Sequence, residues 1–265
     1  MHVVDELLLP CQPRILALLL RELAGDVPNL RRVNQLFGCD PVLTSQLMES
    51  ANSSTYQRAG QVPGIPQAIM LLGDRQLRAL LKKAQTSMTG RSMGGLDMAL
   101  FARICHACAR QARTLAGMAR LDGSTAYVAG LLHAMGQLIL HSTQTERVAP
   151  INQDMGVWDP RRPRREAQLW GYSANSTTAV LLRQWGLPVD IVNAVRGMEM
   201  PLSFEPFDPM AGVLHLAVWC QRARHSGWSE RAIMDAFPVD LAIALGIDVD
   251  VVLQKEATDW TQSLY

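Results

Sequence analysis

Gly130-Leu131-Leu132-His133-Ala134-Met135-Gly136-Gln137-Leu138-Ile139-Leu140 is the stretch whose reading decides the fold. Apolar side chains dominate it, a single histidine stands at its centre, and a glycine follows three residues later. That pattern predicts a buried helix, with Gly136 as the small residue that lets a second helix come close. A buried histidine at the centre of such a helix is either a hydrogen-bonded core residue or part of a site. The rest of the chain has to decide which.

Composition narrows the choices. Hydrophobic residues make up 48% of the 265 positions and aromatics only 6%, a balance that favours helices packed on helices over a sandwich of sheets. Lys plus Arg (25) nearly equals Asp plus Glu (24), so no global field draws the chain to nucleic acid or to a membrane surface. The five cysteines, Cys11, Cys39, Cys105, Cys108 and Cys220, are an odd number without framework spacing. Asp5 and Glu6 stand where a secretory leader carries positive charge, and the apolar runs fall far short of the roughly 20 residues that span a bilayer. These features predict a reduced, cytoplasmic, soluble protein with no membrane association.

Helical punctuation recurs along the chain, and period-two alternation does not. Pro13 opens a helix that Gly25 stops, and a short amphipathic helix near Leu30 to Phe37 is closed by Gly38. Asp40-Pro41 supplies an N-cap and a first-turn proline to a helix whose apolar face is Leu43, Leu47, Met48 and Ala51. Pro66 opens a compact helix closed by Gly73, and Asp74 caps the next, with Leu77, Leu80, Leu81 and Ala84 inward. Thr86 to Asp97, with Gly90, Gly94 and Gly95, reads as a loop or a hinge between two helical lobes. Further on, Ser176 to Trp185 is a helix ended by Gly186 and Pro188, and Asp190 to Val195 and Val213 to Cys220 lie in two more. Glu230 to Trp260 reads as two or three short helices.

Two clusters between these landmarks suggest chemistry. From Leu100, a spacing of about 100° per residue puts Phe101, Ile104, Cys105, Cys108, Ala112, Leu115, Ala116 and Ala119 on one side, and Arg103, His106, Arg110 and Arg113 on the other. The second row is a candidate anion-binding stripe, although a solvated cationic face is the simpler account of it. Cys105-His106-Ala107-Cys108 has metal-like spacing, but no second ligand pair accompanies it, and both thiols belong to the apolar side. Arg161, Arg162, Arg164 and Arg165 lie in a polar, proline-broken segment running from Gln144 to Gln168. With no interleaved aromatics, they read as a solvated loop and helix start, and nucleic acid is an unlikely partner.

The order and spacing of several pieces resemble HDOD domains, bacterial signalling modules related to HD-type metal-dependent phosphohydrolases. The pieces are Leu9-Pro10 with Pro13, Asp40-Pro41-Val42-Leu43, Leu47 with Ala51-Asn52-Ser53, and Ile65 with Ala68-Ile69 and Leu71-Leu72-Gly73. Gly130-Leu131-Leu132-His133, Glu166 with Gly171, and Trp185-Gly186-Leu187-Pro188 continue the resemblance. It covers about residues 8 to 220 and implies an all-α protein: an N-terminal bundle of about five helices (1–97) packed on an HD-like helical lobe (98–265), with helices added at the C-terminal end.

An HD site holds one or two divalent metals on histidines and carboxylates and uses them to activate water. Within the resemblance, His106 and His133 stand where the family's first and second histidines would be. The departures fall on the other ligands: Ala134 replaces the carboxylate after His133, Ala174 or Asn175 a histidine, Met198-Glu199 a frequent His-His, and Val218 an aspartate. Gln137 stands where catalytic relatives often carry lysine. Two histidines make a poor divalent site, since metal hydrolases use at least three protein ligands and a water. The resemblance therefore implies a non-catalytic regulatory protein with no bound metal and no cofactor, acting through protein–protein interaction on partners of cyclic-dinucleotide or two-component signalling. With no room for a separate output domain, those partners would be supplied in trans. The alternatives are a nucleotide or anion sensor in the degenerate pocket and, third, a residual metal-dependent hydrolase.

Overall fold

A computed structural model describes residues 9–56, 60–87, 93–203, 205–225, 227–249 and 252, and among them all regular structure is helical. The N-terminal part contains α1 (Pro13–Ala24), α2 (Leu30–Gly38), α3 (Pro41–Ala51) and α4 (Ile65–Ser87). α4 is broken at Gly73, whose φ of 67° and ψ of 174° are non-helical, so the two helices expected on either side of that glycine are joined end to end. The local signals act as their chemistry requires. Asp40 accepts from the Leu43 N–H at 2.8 Å, and Pro41 takes the first turn of α3, where its missing N–H costs nothing.

α5 (Met98–Met118) is the longest unbroken helix of the second part and starts on an Asp97 cap. It serves two cores. Phe101, Ile104, Cys105 and Cys108 join a core that runs from Leu19 and Phe37 through Leu131 to Ile191 and Val218. Ala112, Leu115 and Ala116 join a second core with Val213, Leu216, Phe237 and Leu241. Each large apolar side chain removed from water this way contributes about 1.5–3 kcal/mol before the cost of ordering it. Of the Thr86 to Asp97 loop, residues 88–92 lie outside the described residues; Met93 is buried, and Gly94 and Gly95 have positive φ.

The chain between 130 and 140 departs from the expectation of one helix. It forms two, α6 (Gly123–Leu132) and α7 (Met135–Thr143), with the turn at His133-Ala134. The break leaves orphan groups at both helix ends, and side chains take them up. His133 Nδ1 donates to the Gly130 carbonyl at 2.7 Å, and the Gly136 N–H donates to Thr178 Oγ1 at 2.8 Å. Two glycines set the helix spacing here. A Cβ on Gly130 would stand 2.7 Å from Ala109 Cα on α5, and one on Gly136 would run into the Ala174 carbonyl.

The segment after α7, read as a polar loop and a helix start, holds two helices: α8 (Thr145–Asp154) and, from the arginines onward, α9 (Arg162–Trp170). α10 (Ala174–Gln184) begins on a capping box between Ser173 and Ser176. α11 (Val189–Gly197) and α12 (Pro209–His225) follow, then the short α13 (Glu230–Asp235) and α14 (Val239–Ala244). The part of the expected C-terminal helices beyond residue 252 lies outside the described residues.

Candidate functional site

His133 sits at the α6–α7 turn, 1% exposed. Because a carbonyl can only accept, its Nδ1 carries the proton and its Nε2 presents a lone pair. That Nε2 is sealed from solvent and has no partner. Burial pushes the imidazole down to about 4; the Gly130 bond opposes this and the Arg222 charge adds to it, so the ring is neutral at physiological pH. Trp158, on the segment between α8 and α9, lies 6.1 Å from the His133 ring and 5.6 Å from Phe101. Beside His133, the Ala134 methyl is buried.

A closed polar cluster lies alongside. The (i, i+4) spacing of Arg162 and Glu166 on α9 brings them to one helix face, and they form an ion pair at 2.8 Å with both side chains fully buried. Gln137 Nε2 donates to the same Glu166 oxygen at 2.8 Å, and the Ala174 N–H donates to the other at 2.8 Å. Arg162 Nη1 also donates to the Met155 carbonyl at 3.1 Å. Arg162 was expected among solvated arginines. Its neighbours Arg164 and Arg165 are indeed exposed, and Arg161 pairs with Asp159 at 2.7 Å, but Arg162 is turned inward because a buried carboxylate from its own helix meets it.

Met198 and Val218 are buried, and the Met198 carbonyl accepts from His215 Nδ1 at 2.7 Å. Glu199 accepts from Ser173 Oγ at 2.7 Å. One turn beyond Val218, Arg222 is half-buried with its Nε sealed and unpartnered. Burial depresses its guanidinium, while the fields of Cys108, Glu199, Glu166 and Asp159 support it. Arg222, Trp158 and the inward role of Arg162 escaped the sequence reading. The available signals were the Arg162–Glu166 spacing and the one-turn step from Val218 to Arg222.

His106 belongs to a different neighbourhood. It is 7% exposed, and its ring is 6.4 Å from Tyr127 in an edge-on arrangement. Tyr127 donates its hydroxyl to the Gly38 carbonyl at 2.9 Å and carries the Arg113 guanidinium over its face at 4.0 Å. Burial first, then Arg110 and Arg113, push His106 down to about 4. Of the stripe Arg103, His106, Arg110 and Arg113, the three arginines are exposed and the histidine is not. The structure joins His106 and Arg113 through Tyr127, which bonds to Gly38 at the end of α2, whereas the ring packed nearest His133 is Trp158.

These residues do not fit a divalent metal. His133 Nε2 is a usable ligand, but Ala134, Met198 and Val218 offer none, and the buried Glu166 is already paired with Arg162. Among the described residues, no group of three or more His, Cys, Asp or Glu side chains is placed to hold a metal ion. Cys105 and Cys108 are buried free thiols, both pushed up by burial (Cys108 to about 12), and so are not poised as thiolate ligands. A cavity of about 410 Å³ opens elsewhere, with mostly apolar walls that include Met200, Leu202, Phe237, Val239 and Leu241.

The HDOD domain model matches residues 9–201. The chain belongs to the HDOD family. No curated protein matches this HDOD chain. Several solved structures share its fold. The response regulator MmoQ from Methylococcus capsulatus str. Bath is 21% identical with a TM-score of 0.74, over 94% of this chain and 98% of that one. A virulence factor from Campylobacter jejuni subsp. jejuni is 20% identical with a TM-score of 0.67, over 95% and 94%. An HDOD domain protein of unknown function from Geobacter sulfurreducens is 22% identical with a TM-score of 0.54, over 95% and 89%. At these identities the likeness carries the fold of the HDOD chain and not its activity. Among the described residues, no helix is long and apolar enough to cross a membrane.

Proposed function

We propose that this HDOD chain is a non-catalytic regulatory module that acts in the cytoplasm by presenting its surfaces and conformation to signalling proteins, with cyclic-dinucleotide or two-component pathways as the source of partners. The observation that supports this reading is the buried Glu166, whose two oxygens are taken up by hydrogen bonds within the chain. Where an HD enzyme needs carboxylates and imidazoles free to bind a cation, Glu166 is saturated by Arg162, Gln137 and the Ala174 N–H. Ala134, Ala174, Met198 and Val218 stand where the resemblance to HD enzymes implies ligands. A fold shared with a protein named a response regulator adds support.

The test is an assay of phosphomonoesters and phosphodiesters, cyclic dinucleotides included, with manganese, zinc or iron added, alongside elemental analysis of the purified protein. No turnover above the protein-free control and no stoichiometric metal are expected. Metal-dependent turnover that His133→Ala abolishes would overturn the reading.

A further inference from the structure

The cavity of about 410 Å³ lies between the turn at Pro201–Ser203, α12 and α14, and shares no lining residue with the degenerate site. Its floor belongs to the fold. Phe237 and Leu241 are buried in the second core, and the Trp219 ring meets Phe237 edge-on at 5.3 Å. Gly212 lets α14 approach α12, because a Cβ there would stand 3.1 Å from Leu241 Cδ1. The rim is different. Met200 (64%), Leu202 (53%) and Val239 (44%) line the cavity yet are left in water, and Ile243 (69%), one turn beyond Val239, extends the apolar row along α14.

Single exposed apolar residues are ordinary at a protein surface, but a cluster around an open cavity marks a place where something binds. Of the twelve exposed large apolar side chains among the described residues, six fall between residues 200 and 243. Two of these six, Met200 and Met234, are methionines, whose unbranched thioethers adapt to the shape packed against them.

Charge narrows the occupant. Asp240 lines the cavity, and Asp235 and Glu205, both exposed, each stand two residues from a lining side chain. The stretch 196–210 carries three acids and the stretch 227–249 carries four, against Arg196 in the first and Arg231 in the second. Arg231 is already directed at Asp235, at 3.9 Å. His215, which also lines the cavity, donates its Nδ1 proton to the Met198 carbonyl and is kept neutral by burial, so it adds no positive charge. Such a rim repels nucleic acid and anionic lipid. A small apolar molecule would fill the cavity and leave the row on α14 bare. An apolar row edged with carboxylates matches an amphipathic helix whose apolar residues recur every three or four positions and whose flanks are basic.

We propose that this groove seats a basic amphipathic helix of a partner protein. Its apolar side chains enter the cavity over Phe237 and Leu241 and pack on Met200, Leu202 and Val239, while lysines or arginines on its flanks face Asp240, Asp235 and Glu205. The inference rests on the reading that the chain acts through its surfaces, and it gives that reading a location and a partner chemistry.

Fluorescence anisotropy of the full chain with a labelled peptide of leucine and lysine, about 18 residues long and patterned as an amphipathic helix, tests it. Two controls accompany it: the same peptide with glutamate at every lysine, and a scrambled peptide with no apolar face. The expected result is binding of the leucine–lysine peptide at roughly micromolar Kd, with at least tenfold weaker binding of both controls. Leu202→Lys and Val239→Lys, both at exposed positions, should each weaken binding roughly tenfold or more, with an unchanged thermal melt showing that the fold is intact. Asp240→Lys and added salt should weaken it several-fold. No binding, equal binding of the glutamate peptide, or binding that survives both Leu202→Lys and Val239→Lys overturns the proposal. So does a concentration-dependent dimer that Leu202→Lys dissolves, because the occupant would then be a second copy of this chain. None of these results bears on hydrolysis, so the non-catalytic reading would stand, just as turnover in the metal assay would leave peptide binding untouched.

Discussion

Arg162 and Glu166 meet at 2.8 Å with both side chains sealed from water, one turn apart on the same helix. A fully desolvated pair stabilises a fold only while both members are present, because each alone would be an unpaired buried charge. Arg162→Met is therefore expected to destabilise the chain by about 3–5 kcal/mol in denaturant unfolding, as is Glu166→Leu. The double variant should lose less than either single change, because the uncompensated charge is gone. Additive losses would show that the two side chains act independently.

Acid should weaken the fold. His133 and His106 are both held down to about 4 from an ordinary 6.5, and burial lowers His141 and His215 as well. Between those values the unfolded chain binds protons that the folded chain refuses. Stability is then fully present above about pH 6.5 and is lost as pH falls towards 4, by up to about 3 kcal/mol for each of His133 and His106. Unfolding free energies measured at a series of pH values should show this slope, and His133→Gln should flatten part of it. An unchanged slope in that variant would mean that His133 titrates normally.

Gly136 sets the distance between α7 and α10. A methyl group there would collide with the Ala174 carbonyl and stand 2.8 Å from Thr178 Oγ1, which accepts from the Gly136 N–H. Gly136→Ala should cost about 1–3 kcal/mol through forced separation of the helices, despite the gain in helix propensity. A thermal melt decides the sign, and a stabilised variant would show that α7 and α10 can part freely.

Asn52 ties the end of α3 to the chain ahead of α4. Its Nδ2 donates to the Met48 and Val62 carbonyls at 3.0 and 3.1 Å, and its Oδ1 accepts from the Val62 N–H at 3.0 Å. Asn52→Ala leaves that buried N–H without a partner and should cost about 2–4 kcal/mol. Asn52→Asp keeps the acceptor and loses the donor. Hydrogen exchange at Val62 should accelerate in the alanine variant before exchange elsewhere does.

Much of the fold was legible residue by residue. Asp40-Pro41, Gly73 and Gly186 announce helix boundaries because capping and positive φ are decided within a turn or two of chain. The apolar row from Phe101 to Ala116 announces the buried face of α5 because helical periodicity is local as well. The site was legible only as a set of departures. Ala134, Ala174, Met198 and Val218 stand out only against the resemblance to HD enzymes, and nothing local says what surrounds them.

The sequence by itself determined a helical fold and the ends of most of its helices, since each depends on neighbours along the chain. Only the tertiary structure decided that the helix through His133 breaks there, that Arg162 turns inward from a row of solvated arginines, and that Trp158 lies beside the His133 ring. Those outcomes rest on partners far away in sequence: Thr178 for the Gly136 N–H, Gln137 and Ala174 for Glu166, and Trp158 beside the imidazole. The burial of a charge or a lone pair is a property of everything that surrounds it, and a linear pattern carries only the part of that environment that lies on the same helix.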